Sequence, residues 1–165
     1  MSRFQALALL ALRVALGLLM LVWGADKLVN PAHGAGVAEH FYFGLFGTRA
    51  LMPVLGALQL ALGACVVFGA ARRAVYPALL AVTGLTLVGV WRSVVDPWGW
   101  YLDGTNALFF PSLIVFAGAL VVSAHRAADA LAVDHWLAAR AGGGARPRAA
   151  PATPPAPQPS APRVR

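Results

Sequence analysis

The sequence contains an arginine inside a long apolar run, and this feature limits the possible folds more than any other. Residues 4–24 form the run, and Arg13 stands near its middle. A run of this length can cross a bilayer as a helix, and a charged side chain within it must face protein or water rather than lipid. Read as a helix, residues 13–28 place five residues on one stripe, at steps of three and four: Arg13, Gly17, Met20, Gly24 and Lys27. The stripe predicts close packing on further helices.

The composition favours a membrane protein over a water-soluble domain. The chain has 165 residues, of which 59% are hydrophobic and only 12% are charged. Soluble domains are about half apolar and about a quarter charged. The formal net charge is +7, but the basic residues flank the apolar segments or lie in the C-terminal tail. Topology and anionic lipid explain that distribution better than nucleic acid does, so the bilayer is the predicted partner.

The hydrophobic pattern predicts an all-α membrane protein, a bundle of four transmembrane helices in residues 1–124. A signal peptide is the alternative for the first apolar run, but the run is long and Arg13 interrupts it. The predicted spans are about 4–24, 50–70, 75–91 and 107–124. Residues 25–49 are predicted to be an interfacial loop, because Asn30-Pro31 and the glycines break regular helix; a short re-entrant or interfacial helix is the alternative. Residues 125–140 are predicted to form a cytoplasmic interfacial helix, and residues 141–165, rich in Pro, Ala and Arg, a disordered tail.

The short loops predict the orientation. One side of the bundle carries the larger set of arginines, from Arg3 through Arg72, Arg73 and Arg126 to the tail. The positive-inside rule therefore places both termini in the cytoplasm. The two aromatic-rich loops then face outward.

Arg13 is the first candidate for a functional residue. It lies about nine residues, or ~13 Å, into the first span, where a charge costs about 2.5–3.5 kcal/mol. Depth counting places Gln59, Thr83 and Thr86 nearby and no carboxylate. Such a site could hold an anion or a quinone carbonyl. The alternative is structural: Arg13 ties the helices together or reaches back to the interface.

A second group of charged residues is predicted at the outer mouth of the bundle: Lys27, Arg92, Asp96 and Asp103. A salt bridge from Lys27 to Asp96 or Asp103 would pin the loop between the third and fourth spans. The alternative is a site where Lys27 and Arg92 attract a small anion. His33 and His40 lie in a glycine-containing loop and are a weak metal pair, so no metal site and no cofactor motif is predicted.

Several of these motifs together resemble the DoxX-like family of four-span membrane proteins, over about residues 10–124. The resemblance is carried by Arg13-x-x-x-Gly17, Trp23-Gly24-Ala25-Asp26-Lys27-Leu28, Gly56-Ala-Leu-Gln59-Leu-Ala-Leu-Gly63, Arg72-Arg73 and Trp91-Arg92…Asp96-Pro97-Trp98-Gly99. The resemblance implies a multi-pass protein of the bacterial or archaeal plasma membrane. The family takes its name from a terminal oxidase subunit, and its relatives include the DoxD-type subunit of a thiosulfate–quinone oxidoreductase.

The resemblance therefore implies a redox-associated membrane component that acts with quinone or with a partner oxidoreductase in the membrane or outside the cytoplasm. Whether the chain is itself an enzyme stays open. A lone cysteine, Cys65, stands against thiol–disulfide chemistry. The alternatives are a non-catalytic membrane scaffold that binds a partner, and a small-solute transporter, for which four spans are enough only in a homo-oligomer.

Overall fold

The computed structural model describes residues 2–42, 44 and 47–143. Within these residues the chain forms seven α-helices and no strand. The helices are α1 (Arg3–Val29), α2 (Pro31–Phe41), α3 (Met52–Phe68), α4 (Arg72–Gly89), α5 (Trp91–Val95), α6 (Pro111–Ala124) and α7 (Val133–Gly143). Two short 3-10 turns, Ala107–Phe109 and Arg126–Ala128, precede and follow α6. The all-helical fold class is therefore confirmed.

Local signals explain where the first two helices begin and end. Ser2 and Gln5 form a capping box at the start of α1, in which each side chain accepts the backbone N–H of the other residue. Asn30 ends α1 and also caps α2, because its side-chain oxygen accepts the N–H of His33. Pro31 then occupies the first turn of α2, where a missing N–H costs nothing.

The turn between α3 and α4 depends on Gly69. This residue has a φ of +67°, and the N–H of Ala70 donates to Cys65 O at 2.9 Å. That geometry is a Schellman ending, which glycine adopts without a steric penalty. Ala71 follows with a φ of +49° and leads directly into α4. The turn is therefore very short, as its sequence predicts, and it holds α3 and α4 antiparallel.

The closest helix packing in the fold is between α1 and α3. A Cβ atom built on Gly17 would lie 2.9 Å from Gly63 O, and one built on Gly24 would lie 2.9 Å from Gly56 O. Such distances leave no room for a side chain, so the two backbones meet directly through small residues. The glycines of the Arg13 stripe thus have the close neighbour that the sequence predicts.

The remaining long helices complete a bundle around the larger of two apolar clusters. α6 contacts α4 at Gly84 and Phe116, and it contacts α1 at Leu12 and Gly118. The core consists of nine buried residues: Leu9, Leu16, Met20, Val66, Val75, Tyr76, Leu79, Ala119 and Val122. Successive long helices run in opposite directions. One end of the bundle, called the Arg13 end below, holds the α3–α4 turn and residues 125–134. The opposite Lys27 end holds α2, α5 and the loop 96–106.

The structure corrects two of the predicted segments. Residues 25–49 are not mainly loop, because α1 continues to Val29 and α2 follows at Pro31–Phe41. The predicted helix 125–140 is broken, since the chain turns at 129–132 before α7 begins. α7 extends to Gly143, so residues 141–143 are helical, and residues 144–165 of the predicted tail lie outside the described residues.

Two of the helical segments are long and apolar enough to cross a membrane, Arg3–Val29 and Ala107–Ala124. α3 is apolar but shorter. Many large apolar side chains on the helices are exposed, among them Leu7, Leu18, Val22, Leu58, Phe68, Leu85, Val88, Ile114 and Leu120. Together with the two apolar helices of spanning length, these exposed side chains indicate association with a membrane.

Candidate functional site

Arg13 is almost completely buried, with 1% of its surface exposed. Its Nη1 forms a salt bridge with Asp129 Oδ2, and its Nη2 donates to Leu131 O at 3.1 Å. Asp129 is buried as deeply as Arg13. The predicted site around Arg13 therefore contains a carboxylate, and the expectation of none at this depth is wrong.

The segment after α6 folds back to bring Asp129 into the bundle. The side chain of Arg72 binds the backbone of this segment. Arg72 Nη1 donates to Arg126 O at 2.7 Å and to Asp129 O at 3.3 Å. Tyr76 reaches the same carboxylate, with its hydroxyl 3.4 Å from Asp129 Oδ2. Arg72 Nη1 also lies 3.9 Å from that oxygen. Asp129 is thus the centre of a buried cluster of two arginines and a tyrosine.

Asp134, at the start of α7, fixes the same segment to α4. Its two carboxylate oxygens accept the backbone N–H groups of Ala71 and Arg72, at 2.9 and 2.8 Å. The N–H of Arg72 is the main reason that the pKa of Asp134 lies below its usual value; burial opposes it, and the N–H of Ala71 and the charge of Arg72 add to it. An aspartate from a distant segment therefore caps the first turn of α4.

Gly69 makes room for the Arg13–Asp129 pair. A Cβ atom on Gly69 would lie 2.6 Å from Arg13 Nη1 and 2.7 Å from the Cβ of Ala132. Glycine is therefore needed at position 69 for two reasons: its backbone is left-handed, and a side chain there would collide with Arg13 and Ala132. The turn that ends α3 packs directly against the guanidinium of Arg13.

The structure separates Arg13 from the other three predicted members of the inner site. Gln59 bonds instead to Lys27, nearer the other end of the bundle. Thr83 and Thr86 donate to backbone oxygens of their own helix, Leu79 O at 2.8 Å and Val82 O at 2.9 Å. The predicted grouping of Arg13 with Gln59 is therefore wrong. Depth counting failed because the long arginine side chain reaches toward the nearer end, where Asp129 meets it.

The sequence analysis missed Asp129 as the partner of Arg13, and it missed Tyr76 and Arg72 as the other residues around that carboxylate. One feature of the sequence could have identified Asp129 as a buried partner: it is the only charged residue in the apolar stretch from Ala127 to Val133. A lone carboxylate among apolar residues needs a cationic partner if it is buried. Arg13 is a cation inside an apolar run, so it needs an anionic partner in the same way.

A second polar cluster lies at the Lys27 end, between α1, α2 and α3. Lys27 Nζ donates to Gln59 Oε1 at 2.8 Å and lies 3.4 Å from Trp23 O. Its stem passes Gly34 of α2 and Gly56 of α3, whose missing side chains leave room for it. Gln59 is buried and directs its amide nitrogen to Met20 Sδ at 3.7 Å. We call this arrangement the Lys27–Gln59 pair.

The other residues predicted at the outer mouth, Arg92, Asp96 and Asp103, do not bond to Lys27. Among the described residues 2–42, 44 and 47–143, neither Lys27 nor Arg92 forms an ion pair with an acid. Arg92 is exposed beside the ring of Trp91, and Asp103 is exposed as well. The predicted salt bridge from Lys27 to Asp96 or Asp103 is therefore wrong. Lys27 turns inward to Gln59, and Asp96 is engaged by its own loop.

Asp96 organises the loop that displays the tryptophans. Its carboxylate accepts the backbone N–H groups of Trp100, Tyr101 and Leu102, at 3.0, 2.6 and 2.8 Å. Burial raises the pKa of Asp96, but these bonds and the N–H of Gly99 outweigh it and hold the pKa below its usual value. The stabilisation is complete above the ordinary aspartate pKa of about 3.9 and is lost as the pH falls through the lowered folded value.

The aromatic rings of this loop face outward from the protein. Trp98 and Trp100 stack with their ring centroids 5.2 Å apart, and both are exposed, as is Tyr101. His33, in contrast, bonds to Asp26 at 2.7 Å. Across the part of the chain that the structure describes, no group of three or more His, Cys, Asp or Glu residues could hold a metal ion.

Comparison with known proteins found no relative of this chain. No family model, no curated protein and no solved structure matches the chain. The resemblance to the DoxX-like family stays a prediction that is based on the motifs quoted above.

Proposed function

We propose that the chain is an integral membrane protein of the DoxX-like type, with four spans and both termini in the cytoplasm of a bacterial cell. Two apolar helices of spanning length and the exposed apolar side chains around the bundle support the membrane location. The orientation is supported by arginines at the Arg13 end: Arg3, Arg72, Arg73 and Arg126. By the positive-inside rule this end lies in the cytoplasm, and the Lys27 end faces outward.

We further propose that the protein is a redox-associated component that binds a quinone at the Lys27–Gln59 pair, alone or with a partner oxidoreductase. The observation that carries this proposal is the environment of the Lys27 ammonium, whose hydrogen-bond partners among the described residues are neutral oxygens. An ammonium has three donors, so one donor stays available for a carbonyl oxygen of a quinone ring. Arg13 then has a structural role, because Asp129 already neutralises it.

Replacing Lys27 with methionine tests the proposed site. Lys27→Met keeps an unbranched stem between Gly34 and Gly56 but removes the charge and the donors. Because a hydrogen bond from a charged group contributes about 1.5–3 kcal/mol, we expect quinone affinity to fall by about 10- to 100-fold. The measurement is a titration of the purified protein in detergent with a short-chain quinone, followed by quenching of tryptophan fluorescence.

Arg92→Met is the matched control, because Arg92 is an exposed cation at the same end of the bundle. It should leave quinone affinity unchanged. Equal losses in the two variants would mean that general electrostatics attract the ligand and that the Lys27–Gln59 pair is not its site. A wild-type protein that is folded and binds no quinone would contradict the redox proposal altogether.

A second candidate function is a membrane scaffold that binds a partner protein through the loop 96–106. The rigid display of Trp98, Trp100 and Tyr101 favours it, since exposed aromatic side chains are typical binding anchors. Asp96→Ala should loosen the loop and lower the yield of the cross-link to the partner, whereas the control Asp103→Ala should leave that yield unchanged. Loss of the partner in Lys27→Met but not in Asp96→Ala would contradict this function.

A further inference from the structure

Residues 125–134, which we call the return segment, meet the bundle mainly through two acids. Within this segment only Asp129 and Ala132 are buried, Asp134 is partly buried, and the other seven residues are exposed. Asp129 bonds to Arg13, and Asp134 accepts two backbone N–H groups at the start of α4. The return segment is therefore held chiefly by charge and hydrogen bonds, because it buries almost no apolar surface.

The bundle contributes only donors to this contact. Arg13 donates to Asp129, and Arg72 lies near both acids, with Nη1 3.9 Å from Asp129 Oδ2 and Nε 3.5 Å from Asp134 Oδ2. The N–H groups of Ala71 and Arg72 bind the carboxylate of Asp134 at 2.9 and 2.8 Å. Both acids come from the return segment, so α1 and α4 by themselves present two guanidinium groups and two backbone N–H groups at one place.

These donors are incompletely satisfied by the two carboxylates. Among residues 2–42, 44 and 47–143, the buried Nε atoms of Arg13 and Arg72 have no hydrogen-bond partner. The hydroxyl of Tyr76 lies 3.4 Å from Asp129 Oδ2, farther than the usual 2.5–3.0 Å of an O–H···O bond. A buried donor without an acceptor is costly, so a ligand with more oxygen atoms would satisfy this end of the bundle better.

We propose that the Arg13 end of the bundle binds a doubly charged oxyanion, a phosphate or phosphate monoester, and that the two acids of the return segment occupy this site as internal ligands. Guanidinium groups and N–H groups at the start of a helix are the donors that bind phosphate. One phosphate dianion supplies the charge of both acids. Arg13 ties the helices together while the return segment is in place, and the ligand displaces that segment. The site shares no residue with the Lys27–Gln59 pair, so it is independent of quinone binding.

Hydrogen exchange of the purified full chain in a nonionic detergent tests the displacement. The probe is inorganic phosphate, and chloride at equal ionic strength is the control. We expect phosphate to raise the exchange rate of residues 125–136 by about tenfold or more, with saturation, and chloride to leave it unchanged. The N–H groups of Ala71 and Arg72 should stay protected, because phosphate oxygens replace those of Asp134. This pattern distinguishes displacement from unfolding, which would expose both regions.

Two arginine variants test whether the site itself binds phosphate, by equilibrium dialysis with radiolabelled phosphate. Arg72→Gln removes a guanidinium from the site and should weaken binding by about tenfold or more. Arg73→Gln removes the same charge from the neighbouring residue, whose side chain is exposed, and should leave the affinity unchanged. Circular dichroism verifies that each variant is folded.

Asp134→Asn tests whether the return segment competes with the ligand. The variant keeps an oxygen acceptor at a partly buried position, so the fold should be retained, but it removes one competing charge. Phosphate should then bind about tenfold more tightly than to the wild-type protein. Asp103→Asn, a change at an exposed acid of the opposite end, is the matched control and should leave the affinity unchanged.

Glycerol phosphate and phosphatidic acid, tested in the same micelles, distinguish a soluble ligand from a lipid headgroup. Tighter binding of phosphatidic acid identifies the lipid as the source, equal binding identifies a soluble ester, and both results support the site. Exchange that rises equally in phosphate and chloride would overturn the proposal, because ionic screening would explain it. Equal losses in the two arginine variants, or no gain in Asp134→Asn, would also overturn it.

Discussion

Asp129→Ala is expected to lower the free energy of unfolding by about 3–5 kcal/mol, because it leaves the charge of Arg13 buried and unpaired. Arg13 has 1% of its surface exposed, and its remaining hydrogen bond is to the backbone oxygen of Leu131. The hydroxyl of Tyr76 and the backbone contacts of Arg72 do not replace the lost negative charge. Reversible unfolding in mixed micelles, followed by circular dichroism, measures the loss.

Two controls show whether the cost comes from the uncompensated charge. Asp103→Ala removes an exposed carboxylate and should change the free energy of unfolding by no more than about 0.5 kcal/mol. Arg13→Met combined with Asp129→Leu replaces the pair by apolar side chains of similar size and should recover most of the stability. If Asp129→Ala alone were as stable as the wild-type protein, the guanidinium would have to reach water, contrary to the buried cluster described above.

Gly63→Ala is expected to destabilise the bundle by about 1–3 kcal/mol, the typical effect of overpacking. The added Cβ atom would lie 2.8 Å from Gly17 O and 2.9 Å from both the backbone nitrogen and the Cγ of Leu21. Two of these neighbours are backbone atoms of α1 and cannot rotate away. α1 and α3 would have to separate along their whole contact, and the same unfolding measurement reports the change.

Gly36→Ala is the matched control for this packing argument. Gly36 lies in α2, and a Cβ atom there would meet nothing within 4 Å. Alanine is the better helix former, so this variant should be more stable by about 0.5–1 kcal/mol. A loss of stability in Gly36→Ala similar to that in Gly63→Ala would show that glycine is needed for a reason other than close helix packing.

Structural features that depend on residues close together in the sequence could be predicted from it. The four long helices α1, α3, α4 and α6 overlap the four apolar runs, and the glycine stripe of α1 meets the glycines of α3. The hydroxyl groups of Thr83 and Thr86 bond to backbone oxygens four residues earlier in their own helix, which is a local interaction, although the sequence analysis placed both residues beside Arg13. The interactions of Asp96 also span only a few residues, and the sequence-based interpretation missed them by assigning Asp96 to Lys27.

Contacts between distant segments were not predictable in the same way. The sequence shows that Arg13 needs a partner, but Asp129 stands 116 residues away in a segment that was expected to lie flat as a helix. The chain breaks that helix at 129–132 and returns to the bundle. Lys27 likewise turns to Gln59, 32 residues away, because glycines on α2 and α3 leave room for its stem.

Three properties follow from the amino-acid sequence alone: the helical fold class, the faces that pack closely and the need to neutralise a buried arginine. Each follows from periodicity, side-chain size or the cost of a buried charge, which depend on residue type and short-range spacing. The pairing of Arg13 with Asp129 and of Lys27 with Gln59 is determined by the packing of distant segments. Those pairings depend on how far each side chain reaches and where the chain turns back, and several partners satisfy the same spacing until the segments are packed together.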